Sequence, residues 1–211
     1  LLLWLYDFQH MRHPENFSNE EQTRMNRVFT QSAKAASRIL VYSKAAQSDL
    51  QLFMPQVIEK ARLIRFEPHI PETATTGKPA DICRLHNLPE RFIYLPNRFK
   101  PYKNHNDVLA ALHVLSKKNI KPTVVCTGEN KGECFEDLIR ERDKAGLQNQ
   151  FLTPGLLERK ETFSLLRQCA ALLNPSGFEG FGLSVAEAKV LGKPMILSDL
   201  PVFREHHLSS A

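Results

Sequence analysis

The sequence predicts an α/β fold with parallel sheets, and two observations carry that reading. Short apolar segments alternate along the chain with stretches of helical periodicity, a pattern that implies parallel strands covered by helices on both faces. One stretch at residues 67–79, holding Pro68, Pro71 and Pro79 besides threonines and Gly77, interrupts the series and reads as a linker between two domains. With 42% apolar and 24% charged residues over 211 positions, the composition is globular and leaves room for one complete domain plus part of another.

The elements follow in order. Residues 1–6 open the chain as an apolar strand, and Ser18-Asn19-Glu20-Glu21 is a capping box that starts a helix running to about Ala36. A strand follows at 38–42, then Ser43 caps a helix that ends before Pro55, and 60–66 is the next strand. The second domain begins near Ala80, with strands at 92–95, 123–127, 150–153, 170–173 and 194–197, each separated by a helix in a Rossmann-like series. In the helix from Asn104 to Leu115, Val108, Leu109, Leu112 and Leu115 share one apolar stripe. A last helix at 183–191 follows the strand at 170–173 after a glycine-rich turn.

Charge and cysteine usage narrow the classes of function. A formal net charge of +5 and a pI near 9.1 suit anionic nucleotides or an anionic membrane surface. No Lys/Arg run and no basic-aromatic motif appears, so nucleic acid is not an expected partner. Cys83, Cys126, Cys134 and Cys169 lie too far apart for a Cys-x-x-Cys pair and read as reduced thiols. His206-His207 reads as the surface of a polar tail rather than a metal site, and no metal or other cofactor is expected. The apolar opening is far shorter than the roughly 20 residues that cross a bilayer. The chain starts without Met inside a strand and closes just after another, so an internal fragment of a longer protein is the expectation.

Two segments carry chemistry. The first is Asn174-Pro175-Ser176-Gly177-Phe178-Glu179-Gly180-Phe181-Gly182-Leu183-Ser184-Val185-Ala186-Glu187-Ala188, a glycine-rich strand-to-helix turn bracketed by two carboxylates. Free N–H groups and the dipole of the first helical turn favour an anion there, and Gly180 and Gly182 let a ligand approach the backbone. Two carboxylates at such a place would repel a diphosphate, so Glu179 and Glu187 suit ligand hydroxyls, as on an activated sugar. Taken singly, each residue has a blander role: a Glu near a helix start serves the dipole. The second segment is Asn97-Arg98-Phe99-Lys100-Pro101-Tyr102-Lys103-Asn104-His105, a βα loop with three cations; opposite charge near a departing diphosphate lowers the barrier to its release.

The Glu-x7-Glu spacing, the interposed Gly-Phe-Gly-Leu and the following Gly192-Lys193-Pro194 together resemble the EX7E signature of retaining glycosyltransferases of the GT-B fold, in glycosyltransferase family 4. The loop matches the Arg/Lys pair of the subgroup reading Pro-Asn-x-x-x-x-x-Lys-Asn-His. The resemblance implies two Rossmann-like domains: the C-terminal part of an acceptor-side domain at 1–66, the linker at 67–79, and a nearly complete nucleotide-sugar-binding domain at 80–211. It also implies roles. Glu179 touches the donor hexose, Glu187 binds the ribose, the amides of Gly180, Phe181, Gly182 and Leu183 hold diphosphate and sugar, and Arg98 and Lys103 neutralise the leaving group. Gly155 would lie in the loop beside the nucleobase, where Leu156 and Leu157 either pack on the base or belong to the core.

Near the N-terminus, Tyr6-Asp7-Phe8-Gln9-His10 stands where the family usually has a His-Asp pair, so Asp7 and His10 are the acceptor-side candidates, with an Asx turn and solvent-facing histidines as the alternative. The implied activity is metal-independent transfer of a hexose, mannose or another, from a nucleotide-diphosphate sugar to a glycan or lipid-linked acceptor with retention of configuration. The implied place is the cytoplasm, at the inner face of a membrane where association is peripheral. The 211-residue stretch alone is expected to be inactive or nearly so. Two other readings stay open: a non-catalytic nucleotide-sugar-binding module, and another GT-B enzyme such as a phosphorylase or a sugar-nucleotide epimerase.

Overall fold

The computed structural model describes the chain apart from residues 71, 73–77 and 209–211, so most of the expected linker lies outside the described residues. By compactness the chain forms two units. The first comprises Leu1–Glu67, Phe178–Leu183 and Asp199–Ala211; the second comprises Pro68–Gly177 and Ser184–Ser198. Residues 178–183 of the glycine-rich turn and the closing segment from Asp199 thus group with residues 1–67 rather than with the rest of 80–211, because their partners include Tyr6, Ser43 and Lys44.

In the first unit, β1 (Leu2–Trp4), β2 (Arg38–Val41) and β3 (Ala61–Leu63) form a parallel sheet in the order β1-β2-β3. The outer strands are shorter than the apolar runs at 1–6 and 60–66. β2 ends at Val41, just before Ser43 turns the chain into a helix, so its neighbours have nothing to pair with further on. Ser18 caps the helix Asn19–Ala35 in a reciprocal box: Glu21 N–H donates to Ser18 Oγ at 3.2 Å and Ser18 N–H donates to Glu21 Oε2 at 2.9 Å. Leu5, Phe8, Phe29, Ile39, Leu50 and Met54 form the core beneath the sheet. The closing segment is not the polar tail expected from its sequence. It is a helix, Pro201–Leu208, anchored by buried Val202 and Phe203.

The second unit holds β4 (Ile93–Leu95), β5 (Val124–Thr127), β6 (Phe151–Gly155), β7 (Ala171–Asn174) and β8 (Met195–Leu197), all parallel, in the order β6-β5-β4-β7-β8. Helices His105–Lys117, Glu133–Lys144, Arg159–Gln168 and Leu183–Val190 link successive strands. Val108, Leu109 and Leu112 are buried as their spacing predicts, packed with Leu95, Val124, Leu138 and Phe151. The four cysteines are free, three of them buried and Cys134 exposed. Among the described residues no helix is long and apolar enough to cross a membrane.

Candidate functional site

Strand order defines where a ligand would lie against the second unit. β4 comes first in sequence yet sits at the centre; the chain builds outward through β5 to β6, then crosses to β7 and β8 on the other side. The reversal falls between β4 and β7, and in open parallel sheets ligands bind outside the carboxyl ends of the strands at such a switch point. Both segments singled out in the sequence leave from there: 97–105 after β4, and 174–177 after β7.

Hydrogen bonds fasten these two loops to each other. Asn97 Nδ2 donates to Asn174 Oδ1 at 3.1 Å, Asn104 Nδ2 to the Pro175 carbonyl at 2.8 Å, and Gly177 N–H to the Tyr102 carbonyl at 2.8 Å. Asn104 is the N-cap of the helix His105–Lys117 but makes no side-chain capping bond. It adopts a left-handed backbone (φ 53°, ψ 38°), which Asn tolerates better than most residues, and its carboxamide reaches the β7 loop instead. Asn174 Oδ1 also accepts from Ser176 Oγ at 2.6 Å, and Ser198 Oγ donates to the Ser176 carbonyl at 2.5 Å, so the loops after β4, β7 and β8 share one network. Asn97, Asn174, Ser176 and Ser198 were not among the expected site residues. A hydrogen-bonded network of largely buried polar groups rigidifies what it touches, but one sequence offers no sign of which amides will meet.

The cations sit on this framework. Phe99 is buried against Phe135 and His105, with ring centroids 4.9 and 4.8 Å away, so Arg98 and Lys100 on either side of it are exposed. Lys103 ends a 3-10 turn, half-buried, with Nζ 5.2 Å from the centroid of the Tyr102 ring. Burial and the neighbouring Lys103 depress the His105 imidazole to about 4, so it is neutral near pH 7.

Glu187 lies in the helix Leu183–Val190 and is only 5% exposed. Its Oε1 accepts from Arg159 Nη2 at 2.8 Å, and the Arg159 guanidinium stacks over Phe163 at 4.7 Å. Burial raises the Glu187 carboxyl above its usual range, and Arg159 pulls the other way. Arg159 is a residue the sequence reading missed; nothing in its local sequence marks it. Gly155 ends β6 with φ 99°, and its carbonyl accepts from Gly128 N–H at 3.1 Å. Leu156 just beyond it is 75% exposed, so the core alternative does not hold for it.

The remaining expected residues belong to the first unit. Glu179 is half-buried in the turn. A Cβ at Gly180 would fall 2.5 Å from the Tyr6 carbonyl and 2.7 Å from Asp7 Cβ, which no side chain tolerates without backbone movement. Gly182 has φ 80°, a conformation that favours glycine. Leu183 begins the helix, partly exposed. Ser43 caps its helix as expected, accepting from Ala46 N–H at 2.9 Å, and it also donates to the Gly180 carbonyl at 2.9 Å. His206, which reads in sequence as surface, donates from Nε2 to the Phe181 carbonyl at 2.7 Å and packs on the Phe181 ring at 4.9 Å.

The two acceptor-side candidates separate. Asp7 Oδ1 accepts from Gln9 N–H at 3.1 Å, the Asx turn of the alternative reading. His10 neither faces solvent nor lines an open surface. It is 1% exposed, edge-on to the Phe29 ring with centroids 4.5 Å apart and neither ring nitrogen bonded, and burial lowers its pKa. The apolar side of the short helix Gln9–Arg12 faces the core, and position 10 falls on that side. Among the described residues no group of three His, Cys, Asp or Glu side chains gathers closely enough to hold a metal ion.

A five-stranded parallel sheet with two bonded loops at its switch point defines the class of the second unit as an open α/β fold. Comparison narrows it: residues 84–207 match the family described as Glycosyl transferases group 1, and the chain belongs to that family. It is 26% identical over 162 residues to the uncharacterised glycosyltransferase YqgM of Bacillus subtilis (strain 168), covering 76% of this chain and 44% of that protein. Among solved structures it superposes on Anabaena Alr3699/HepE in complex with UDP and glucose, with a TM-score of 0.75 and 21% identity over 97% of this chain and 54% of that one. It also superposes on sucrose-phosphate synthase from Thermosynechococcus elongatus, with a TM-score of 0.69 and 19% identity over 94% of this chain and 50% of that one. The expected α/β fold of GT-B type is thus borne out. The chain spans about half the length of these relatives.

Proposed function

We propose that the protein containing this chain transfers a hexose from a nucleotide-diphosphate sugar to a glycan or lipid-linked acceptor, with retention of configuration and without a metal ion. The observation that carries the proposal is the fastening of the cationic β4 loop to the β7 loop at the switch point of a family member's parallel sheet. A structural neighbour crystallised with UDP and glucose supports a nucleotide-sugar donor.

In this reading Arg98 and Lys103 neutralise the departing diphosphate, together with the amides of Gly180, Phe181, Gly182 and Leu183. Glu179 orients the hexose, Glu187 the ribose, and Gly155 lets the chain pass close to the base. The bond from the anomeric carbon to the donor phosphate breaks, and the bond to the acceptor oxygen forms on the same face. The acceptor proton passes to the leaving phosphate. Fixed cations and helix-end amides take the part a divalent ion plays elsewhere. Asp7 is the remaining acceptor-side candidate. Work at the cytoplasmic face of a membrane, by peripheral association, completes the proposal.

The test uses the full-length protein, offered labelled UDP-hexoses and GDP-mannose with glycan and lipid extracts of the source cells. Transfer is expected to persist in EDTA, and NMR of the product is expected to show the donor's anomeric configuration. Glu179→Ala is expected to lower transfer by about 100-fold or more, roughly 2.7 kcal/mol of transition-state stabilisation, at unchanged thermal stability. Unchanged turnover in that variant refutes the role given to Glu179. Inversion of the product, or loss of activity in EDTA, refutes the corresponding half of the mechanism.

A further inference from the structure

We infer that His206 is a positioning residue that, with Ser43, aims the diphosphate-binding amides of the glycine-rich turn. The inference rests on the donor reading above.

A trans peptide unit is planar, and its C=O and N–H point in opposite directions. The Gly180 carbonyl accepts from Ser43 Oγ at 2.9 Å, and the Phe181 carbonyl accepts from His206 Nε2 at 2.7 Å. These carbonyls share their peptide units with the N–H groups of Phe181 and Gly182. Holding both carbonyls against Ser43 and His206 therefore turns both N–H groups away from those anchors, and successive amides so presented make an anion-binding concavity.

The turn needs such anchors because of its composition. Glycine tolerates backbone angles of either hand, and Gly182 sits at φ 80°, so the flanking peptide planes have little of their own to stop them from flipping. A flipped unit would offer a carbonyl oxygen, instead of an N–H, to a negatively charged diphosphate.

The His206 imidazole is itself held on several sides. The preceding residue, Glu205, accepts from Lys44 N–H at 2.8 Å and Ala45 N–H at 2.9 Å, docking the helix Pro201–Leu208 on the positive end of the helix Lys44–Phe53. Buried Val202 and Phe203 fix the same helix from below, and the Phe181 ring meets the imidazole edge-on. A carbonyl can only accept, so the imidazole is the donor and Nε2 carries the hydrogen.

The experiment is calorimetric titration of the full-length protein with UDP and GDP, and with UMP and GMP, before and after substitution. His206→Phe keeps an aromatic ring and removes the N–H. It is expected to weaken the diphosphate that the unsubstituted protein binds by about 10-fold, while the matching monophosphate changes less than about twofold. His206→Gln, which restores a donor, is expected to recover most of the loss, and Ser43→Ala to show the same selectivity as His206→Phe. Should His206→Phe fail to fold, the same comparison is read on His206→Leu. Equal affinity for the diphosphate, or equal weakening of diphosphate and monophosphate, overturns the inference and leaves the donor reading standing. If the unsubstituted protein binds neither diphosphate, the donor reading fails and the inference falls with it.

Discussion

The cationic loop at 97–105 and the glycine-rich turn at 178–183 are held by different kinds of partner. Asn97 and Asn104 bond to Asn174 and Pro175, so both ends of each tether lie in stretches that already announce themselves in the sequence. The turn is held by Tyr6, Ser43 and His206, and Ser43 is 137 residues away along the chain from the glycine whose carbonyl it binds. The first region is fixed by side-chain amides, which are specific but replaceable one at a time. The second is fixed by side-chain donors to its carbonyls and, at Gly180, by a close backbone approach that leaves no room for any side chain. Damage should therefore be graded where a side chain is the tether and abrupt at Gly180.

Gly180→Ala breaks the comparison most sharply if it proves mild. The new methyl would meet a backbone carbonyl at 2.5 Å and Asp7 Cβ at 2.7 Å, neither of which can swing aside. Overpacking of this kind costs about 1–3 kcal/mol, and displacing the turn by an ångström is expected to lower transfer by about 100-fold. Denaturant unfolding and donor kinetics of the full-length protein measure the two effects. Wild-type-like values for both would mean that the turn is not fixed by this approach.

Asn104 permits a finer test. Asn104→Ala removes the bond to the Pro175 carbonyl and also places a residue with a Cβ in the left-handed region, each worth about 1 kcal/mol, for a total near 2. Asn104→Gly removes the bond but relieves the backbone, so about half that loss is expected. Equal destabilisation by the two variants would show that the tether alone matters; no loss in either would remove the tether from the account of the loop.

How much of this was readable follows from the same contrast. Strands and helices were legible because alternation and apolar spacing are local properties: Ser18, Ser43 and the Val108-Leu109-Leu112 stripe do what their neighbours in sequence require. The motif residues were legible because glycine, carboxylate and cation spacing is also local. Arg159 beside Glu187, the Asn97–Asn174–Ser176 network and His206 on Phe181 were not, since each depends on two chain segments meeting in space. His10 shows the opposite failure. Its nearness to Asp7 makes it an acceptor-side candidate, but the four-residue helix Gln9–Arg12 that turns its ring into the core against Phe29 is too short to show periodicity.

Arg159 and Glu187 supply the smallest expected effect and one with a definite sign in pH. Burial holds the Glu187 carboxyl above its ordinary value in the folded protein, while Arg159 opposes that rise. Between the unfolded and folded pKa values the folded state binds more protons than the unfolded chain, so stability falls as pH rises through that window. Arg159→Met removes the opposing charge, pushes the folded pKa further up and widens the window. The expected result is a variant close to the unsubstituted protein at pH 4 that loses stability progressively toward pH 7. The difference should be on the order of 1 kcal/mol, modest because the guanidinium is about half exposed and solvent screens it. Glu187→Gln in the same background is expected to abolish the added pH dependence, because the amide does not titrate. Thermal melts of the three proteins at pH 4, 5.5 and 7 measure the slope. Parallel slopes for Arg159→Met and the unsubstituted protein would show that Arg159 does not set the charge state of Glu187, and a slope of opposite sign would place the carboxyl in a polar rather than a buried setting.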